Sequence, residues 1–134
     1  MNIGTAASES GVSAKTIRYY ESIGLIPPAI RAENGYRNYT EFEVETLRFI
    51  QHSRRLGFSV KNVGSLLELW DDKGRSSADV KALALQHISE VEQRIKELET
   101  IRRTLIDLTD RCHGDDRPEC PILDDLATGS KAPA

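Results

Sequence analysis

The chain has 134 residues, of which 39% are hydrophobic and 29% charged, and its formal net charge is −3. This length is that of one domain, and the composition is that of an ordinary soluble protein. No stretch approaches the roughly 18 apolar residues of a membrane span. The N-terminus, MNIGTAASES, has no basic segment followed by an apolar one. We therefore expect a cytoplasmic protein with no signal peptide and no membrane partner.

The charge is unevenly distributed along the chain. Residues 1–61 hold eight Lys or Arg and six Asp or Glu, a balance of +2, whereas residues 62–134 hold ten and fifteen, a balance of −5. A polyanion such as DNA is attracted to basic surface, so the first part of the chain is the better candidate for binding it.

Two short helices are predicted first. One covers residues 3–12, with Thr5 as its N-cap, and the other begins after the cap Ser13 and stops at Gly24. Two short helices joined by a tight Gly-containing turn are typical of a helix-turn-helix, although helical hairpins also occur in unrelated proteins.

The second helix supplies candidates for DNA contact, because its N-terminal residues enter the major groove in this motif. Lys15, Thr16 and Arg18 are nearest to the DNA, and Tyr19 could face either DNA or core. Lys and Arg suit guanine edges and phosphates. A solvated surface charge is the alternative for each.

A hairpin is predicted next. Asn34-Gly35 favours a two-residue turn, flanked by strands at 29–32 and 36–39, which together form a small wing. Thr40 caps a third helix over residues 41–56, and Ser59 caps a fourth.

The second half of the chain is predicted to be one long helix and a cysteine loop. Residues 71–77 are a polar linker, and residues 78–111 contain neither Pro nor Gly. A helix of that length runs roughly 50 Å. Its apolar stripe favours a partner helix, and packing on its own N-terminal domain is the alternative. The stripe comprises Ile88, Val91, Ile95, Leu98, Ile101, Leu105 and Leu108.

Cys112 and Cys120 are the two cysteines of the chain. A disulfide is disfavoured in the cytoplasm. Zinc normally takes four ligands, which His113, Asp115 or Asp116 could complete. A soft monovalent ion such as Cu(I) is satisfied by two thiolates. The spacing alone leaves these alternatives open.

The stretch VSAKTIRYYESIGLIPPAIRAENGYRNYT closely resembles the N-terminal signature of the MerR family of transcription regulators. The C-x7-C loop, the run DDRPECPI and Ser77 look like the copper-efflux regulator branch (CueR-like or HmrR-like) of that family. The resemblance implies a mainly α fold: a winged helix-turn-helix DNA-binding domain over residues 1–70, then a long antiparallel coiled-coil dimerisation helix over residues 78–111. We expect the chain to end with a metal-binding loop and short helix over residues 112–127, followed by a disordered tail over residues 128–134.

The resemblance also implies a function. A homodimer binds double-stranded promoter DNA, takes Cu(I) on Cys112 and Cys120, with Ag(I) and Au(I) as further effectors, and distorts the promoter for RNA polymerase. Ser77 stands where relatives that sense divalent ions have a third thiolate. Tyr36 and Arg37 of the wing touch the DNA backbone, and Arg31 and Arg54 are further candidates.

Three alternatives remain. They are a sensor of divalent metal such as zinc, a thiol-redox regulator that uses the same cysteines, and a copper-buffering protein with an incidental helical hairpin. We expect no enzyme, because no nucleophile–base pair, phosphate-binding glycine loop or open metal site with a general base is recognisable.

Overall fold

The computed structural model describes residues 1–31, 35 and 37–129, and the chain divides into two compact units, Met1–Val80 and Lys81–Ala134. The predicted mainly α fold with a helix-turn-helix is confirmed. The elements are α1 Ile3–Ser10, α2 Ala14–Ser22, β1 Ile30–Arg31, β2 Arg37–Asn38, α3 Glu41–Arg55, α4 Val60–Asp71, α5 Ser77–Arg111 and α6 Pro121–Thr128. Within the described residues, no helix is both long enough and apolar enough to cross a membrane.

Three helices of the first unit begin at the predicted caps. The side-chain oxygens of Ser13, Thr40 and Ser59 each accept a hydrogen bond from the backbone N–H three residues later, at 3.1, 3.2 and 3.1 Å. Such a contact satisfies one of the N–H groups that a helix start leaves unpaired.

The predicted cap of α1 is wrong. Asn2, not Thr5, is the N-cap, since Asn2 Oδ1 accepts from the Thr5 backbone N–H at 2.8 Å. Asn is as good a cap as Ser or Thr, and an acceptor three residues earlier allows the helix to begin at Ile3. The helix ends at Gly11, whose φ of 80° is left-handed.

The wing is present within the predicted strand ranges, but its ladder does not fit the predicted two-residue turn at 34–35. Ile30 pairs with Asn38 and Arg31 with Arg37 in an antiparallel ladder. A two-residue turn at 34–35 would instead pair Arg31 with Asn38, so the ladder is shifted by one residue. Hairpin loop length sets register, and here five residues separate the paired positions 31 and 37. The conformation of Asn34 lies outside the described residues, as does that of Tyr36.

The core of the first unit joins all of its helices. The buried hydrophobic residues are Ala6, Val12, Ile17, Tyr20, Ile26, Tyr39, Val44, Leu47, Ile50, Phe58, Val63 and Leu67. Phe49 of α3 also stacks on Trp70 of α4, with ring centroids 4.5 Å apart and planes 6° apart. These contacts make a rigid base for α2 and the wing.

The second unit holds most of α5 together with α6. The apolar stripe of α5 is largely exposed, from 40% at Val91 to 53% at Leu98, whereas Leu108 is only 3% exposed. The tail prediction is wrong at its first residue, because Thr128 is helical and Gly129 caps α6. Residues 130–134, the rest of the predicted disordered tail, lie outside the described residues.

Candidate nucleic-acid interface and metal centre

One face of α2 is buried in the core, and the other is exposed and carries the candidate DNA contacts. Ile17, Tyr20 and Glu21 are buried. Lys15, Arg18, Tyr19 and Ser22 follow a spacing of three and four residues and are all exposed, Tyr19 by 54%. Residues at that spacing share one helix face. The predicted DNA contacts Lys15, Arg18 and Tyr19 therefore lie together on the solvent side of the helix.

Thr16 belongs to the start of α2. Its backbone N–H donates to Ser13 Oγ at 3.1 Å, and the Ser13 hydroxyl donates to Thr16 Oγ1 at 2.8 Å. Thr16 is half-buried. These two bonds fix the first turn, so the helix N-terminus and its partial positive charge are held in one orientation.

A buried carboxylate connects α2 to the wing, and the sequence analysis did not anticipate it. The Glu21 side chain is 6% exposed and forms an ion pair with Arg37 of β2, Nε to Oε2, at 3.2 Å. The Tyr39 hydroxyl donates a short hydrogen bond to Glu21 Oε1. Burial raises the pKa of Tyr39, and the hydrogen bond to Glu21 raises it further. The tyrosine therefore stays a neutral donor.

A sequence signal for this contact existed. Glu21 follows Ile17 by four residues and Tyr20 by one, so helical periodicity already places it on the apolar face. A charged residue on such a face needs a partner. Arg37, predicted to bind phosphate, is that partner in the structure.

The other two arginine candidates also make internal contacts. Arg31 Nη1 donates to the carbonyl of Gly35 at 3.0 Å, across the wing. Arg54 Nη1 donates to the carbonyl of Phe58 at 2.8 Å, at the end of α3. Both residues are exposed, so each cation is anchored to the backbone while part of its surface faces solvent.

The two cysteines lie at the ends of one loop. Cys112 directly follows α5, and its N–H donates to the carbonyl of Thr109 at 3.2 Å. Cys120 is the N-cap residue of α6, and its carbonyl accepts from the N–H of Asp124 at 3.0 Å. Both thiols are free and partly exposed. Thiolates are soft donors that suit a soft metal ion.

Hydrogen bonds between Arg117 and Asp115 stabilise the loop internally. Arg117 donates to Asp115 three times, from its backbone N–H at 2.9 Å, from Nε at 2.8 Å and from Nη2 at 2.7 Å. These hydrogen bonds hold the pKa of Asp115 below its usual range. Among the described residues, no group of three or more His, Cys, Asp or Glu side chains is arranged to hold a metal ion.

Ser77 is the first residue of α5 and is exposed. The capping contact there belongs to its neighbour, because Ser76 Oγ accepts from the Ala78 N–H at 3.1 Å. The predicted role of Ser77 in selecting the charge of the metal ion stays a prediction.

Two family models match the chain. The model of the MerR HTH family regulatory proteins matches residues 1–70, and the model described as MerR, DNA binding matches residues 44–108. The chain belongs to the MerR family of transcription regulators. The predicted family membership is confirmed, and with it a DNA-binding helix-turn-helix.

Relatives of this MerR-family chain cover nearly its whole length. It is 55% identical to the heavy metal-dependent transcription regulator 2 of Rhizobium meliloti (strain 1021), over 97% of this chain and 88% of that one. It is 54% identical to the HTH-type transcriptional regulator HmrR of Sinorhizobium medicae (strain WSM419), over 98% and 90%. The crystal structure of PbrR691 from Ralstonia metallidurans CH34 in complex with lead(II) aligns with a TM-score of 0.77 at 34% identity, covering 94% of this chain and 98% of that one.

Proposed function

We propose that this MerR-family protein is a cytoplasmic, metal-responsive regulator that binds promoter DNA as a homodimer and activates copper-efflux genes on binding Cu(I). Ag(I) and Au(I) are further effectors, and RNA polymerase is the partner at the distorted promoter. One observation carries the proposal: the two free thiols of the chain frame a single loop, one at the end of α5 and the other at the start of α6.

The number and type of donors favour a monovalent ion. Cys112 and Cys120 offer two soft thiolates, and thiolate ligands select Cu(I). Two thiolates with one +1 ion keep a net charge of −1. The N-terminus of α6, which begins at Pro121 directly after Cys120, presents a partial positive charge to that excess.

Ser77, at the start of α5, also favours a monovalent ion over a divalent one. A divalent ion would be better neutralised by further anionic donors, and we propose Ser77 as the position where such a donor is missing. A serine hydroxyl is a poor ligand for a soft metal. A sensor of divalent metal is the alternative, because the related PbrR691 was crystallised in complex with lead(II).

The loop offers a route from metal to DNA. An ion held by Cys112 and Cys120 ties the end of α5 to the start of α6. We propose that this fixes α6 against the dimerisation helix or the partner's DNA-binding domain, through Ile122, Leu123 and Leu126. Leu123 and Leu126 are 65% and 69% exposed, so their burial would favour the docked state. The docked state of the dimer then deforms the bound promoter DNA.

Equilibrium titration under reducing conditions, with a competing chelator, tests the site. We expect one Cu(I) per chain, held by two sulfur donors in X-ray absorption spectra, and no binding in Cys112→Ser or Cys120→Ser. The matched control His113→Ala should bind as the wild type does.

Two results would favour the alternatives. Preferential Zn(II) binding with nitrogen or oxygen donors would indicate a divalent sensor. Activation that requires a disulfide between the two cysteines, without metal, would indicate a redox regulator.

A further inference from the structure

We infer that Glu21 is a positioning residue of the DNA interface, which orients the Arg37 guanidinium of the wing toward the phosphate backbone. The inference rests on the proposed phosphate contact of Arg37 and deepens it. It assigns a binding role to a carboxylate that itself lies in the interior, on the face of α2 opposite to the candidate DNA contacts.

The Glu21 carboxylate is fixed at both oxygens. Oε1 accepts from the Tyr39 hydroxyl, and Oε2 meets Arg37 Nε at 3.2 Å. Tyr39 is only 2% exposed, so the tyrosine that holds the carboxylate is itself held by the core. A carboxylate with both oxygens engaged cannot rotate freely. It therefore also restricts the orientation of the Arg37 guanidinium that pairs with it.

The Arg37 guanidinium can donate to two anions at once, the Glu21 carboxylate and a DNA phosphate. Its guanidinium is planar, with five N–H donors in a rigid fork. The contact to Glu21 runs through Nε, at the base of the fork, and the Arg37 side chain is 32% exposed while that of Glu21 is 6% exposed. The tip of the group is thus the part suited to a phosphate in front of the wing.

The contact also sets the wing relative to α2. Glu21 is on the same rigid helix as Lys15 and Arg18, which face solvent, while Arg37 is on β2. One ion pair therefore fixes a backbone-binding cation at a set place relative to the base-facing residues. Preorganisation of this kind reduces the side-chain ordering that binding would otherwise require.

The test measures the affinity of the protein for a duplex from the copper-efflux promoter that it regulates, and for an unrelated duplex of equal length. Fluorescence anisotropy is recorded over a series of salt concentrations. The variants are Arg37→Ala, Arg37→Lys, Glu21→Gln and the Glu21→Gln/Arg37→Ala double variant. Tyr39→Phe tests the second contact that holds Glu21, because it removes the hydrogen bond to Oε1 and leaves the ion pair with Arg37. Thermal unfolding of each variant is followed in parallel.

Arg37→Ala removes one phosphate contact from each protomer of the proposed dimer. It should therefore weaken binding to both duplexes about a hundredfold, as expected for two charge-assisted hydrogen bonds, and lower the salt slope by about 1.8. Glu21→Gln should weaken binding about fivefold when Arg37 is present and not at all when it is absent, a coupling that general destabilisation does not produce. Tyr39→Phe should lower the melting temperature and weaken binding less than Glu21→Gln does, with the wild-type salt slope, because the ion pair and the cation remain.

Arg37→Lys is informative even where Glu21→Gln fails to fold. Lysine keeps the charge but has a single ammonium group, which cannot meet the carboxylate and a phosphate as the fork does. We expect a loss of about fivefold with the wild-type salt slope, on the scale of one lost charge-assisted bond.

Two results would overturn the inference alone: wild-type affinity in Arg37→Lys, or equal losses from Glu21→Gln with and without Arg37. If Arg37→Ala changed neither affinity nor salt slope, the proposed phosphate contact itself would be wrong, and the inference would fail with it.

Discussion

At the scale of single residues, the Tyr39 hydroxyl makes the stability of the DNA-binding unit depend on pH. Its pKa is raised above the unfolded value of 10.0 by burial and by Glu21. A raised pKa means that the folded state keeps a proton the unfolded chain loses. Above about pH 10, the wild type should therefore lose about 1.4 kcal/mol of unfolding free energy per pH unit relative to Tyr39→Phe.

Urea unfolding of both proteins between pH 8 and 11 checks this prediction. The difference between them isolates Tyr39, because the two proteins differ only in that side chain. A difference that does not change between pH 8 and 11 would contradict the raised pKa and the buried contact to Glu21.

Residue identity predicted some of the site but not the Glu21–Arg37–Tyr39 contacts. The exposed Lys15 and Arg18 could be placed from helical periodicity, since they lie opposite Ile17 and Tyr20. Arg37 was predicted to contact phosphate from the family resemblance, and a guanidinium suits that role. Only the fold shows that β2 brings Arg37 to Glu21, which lies sixteen residues earlier in the chain.

At the scale of elements, the first turn of α2 can be tested by changing its cap. Ser13→Ala should lower the unfolding free energy by about 1 kcal/mol, because Thr16 N–H loses its acceptor. Ser13→Asp restores an acceptor and suits the helix dipole, so stability should return. The same carboxylate repels phosphate, so DNA affinity should fall.

Ser13→Asn is the matched control, since asparagine caps as well as aspartate and carries no charge. Thermal unfolding and anisotropy with the same duplex measure both effects. If Ser13→Asp and Ser13→Asn bound DNA equally well, the N-terminus of α2 would not face the phosphates.

Element boundaries followed from local chemistry where one residue type decides the outcome. The absence of Pro and Gly over residues 78–111 predicted α5 to within one residue of its observed start at Ser77. The wing register could not be predicted in the same way. Asn34-Gly35 favours a two-residue turn locally, whereas the observed ladder pairs Ile30 with Asn38 and Arg31 with Arg37.

At the scale of the whole molecule, the exposed stripe of α5 predicts a homodimer. Ile95 and Leu98 are 49% and 53% exposed within one chain, a large apolar surface for a single helix. Ile95→Glu would place a charge in the proposed coiled-coil seam, where it lacks a partner. We expect that variant to sediment at the mass of one chain and the wild type at twice that mass.

Gln93→Glu is the control, because residue 93 lies on the opposite face of α5 and is exposed. It adds the same charge and should remain dimeric. A monomeric wild type, or an Ile95→Glu variant that remains a dimer of wild-type strength, would contradict the role of the stripe.

The most direct test of the account is transcription in vitro from the cognate promoter with purified polymerase, at buffered free concentrations of Cu(I) or Zn(II). We predict that the wild-type protein activates with Cu(I) and not with Zn(II), and that Cys112→Ser and Cys120→Ser bind the promoter but do not activate. Activation by Zn(II) alone, or Cu(I)-dependent activation that survives in Cys112→Ser, would contradict the proposal that two thiolates and a monovalent ion control this regulator.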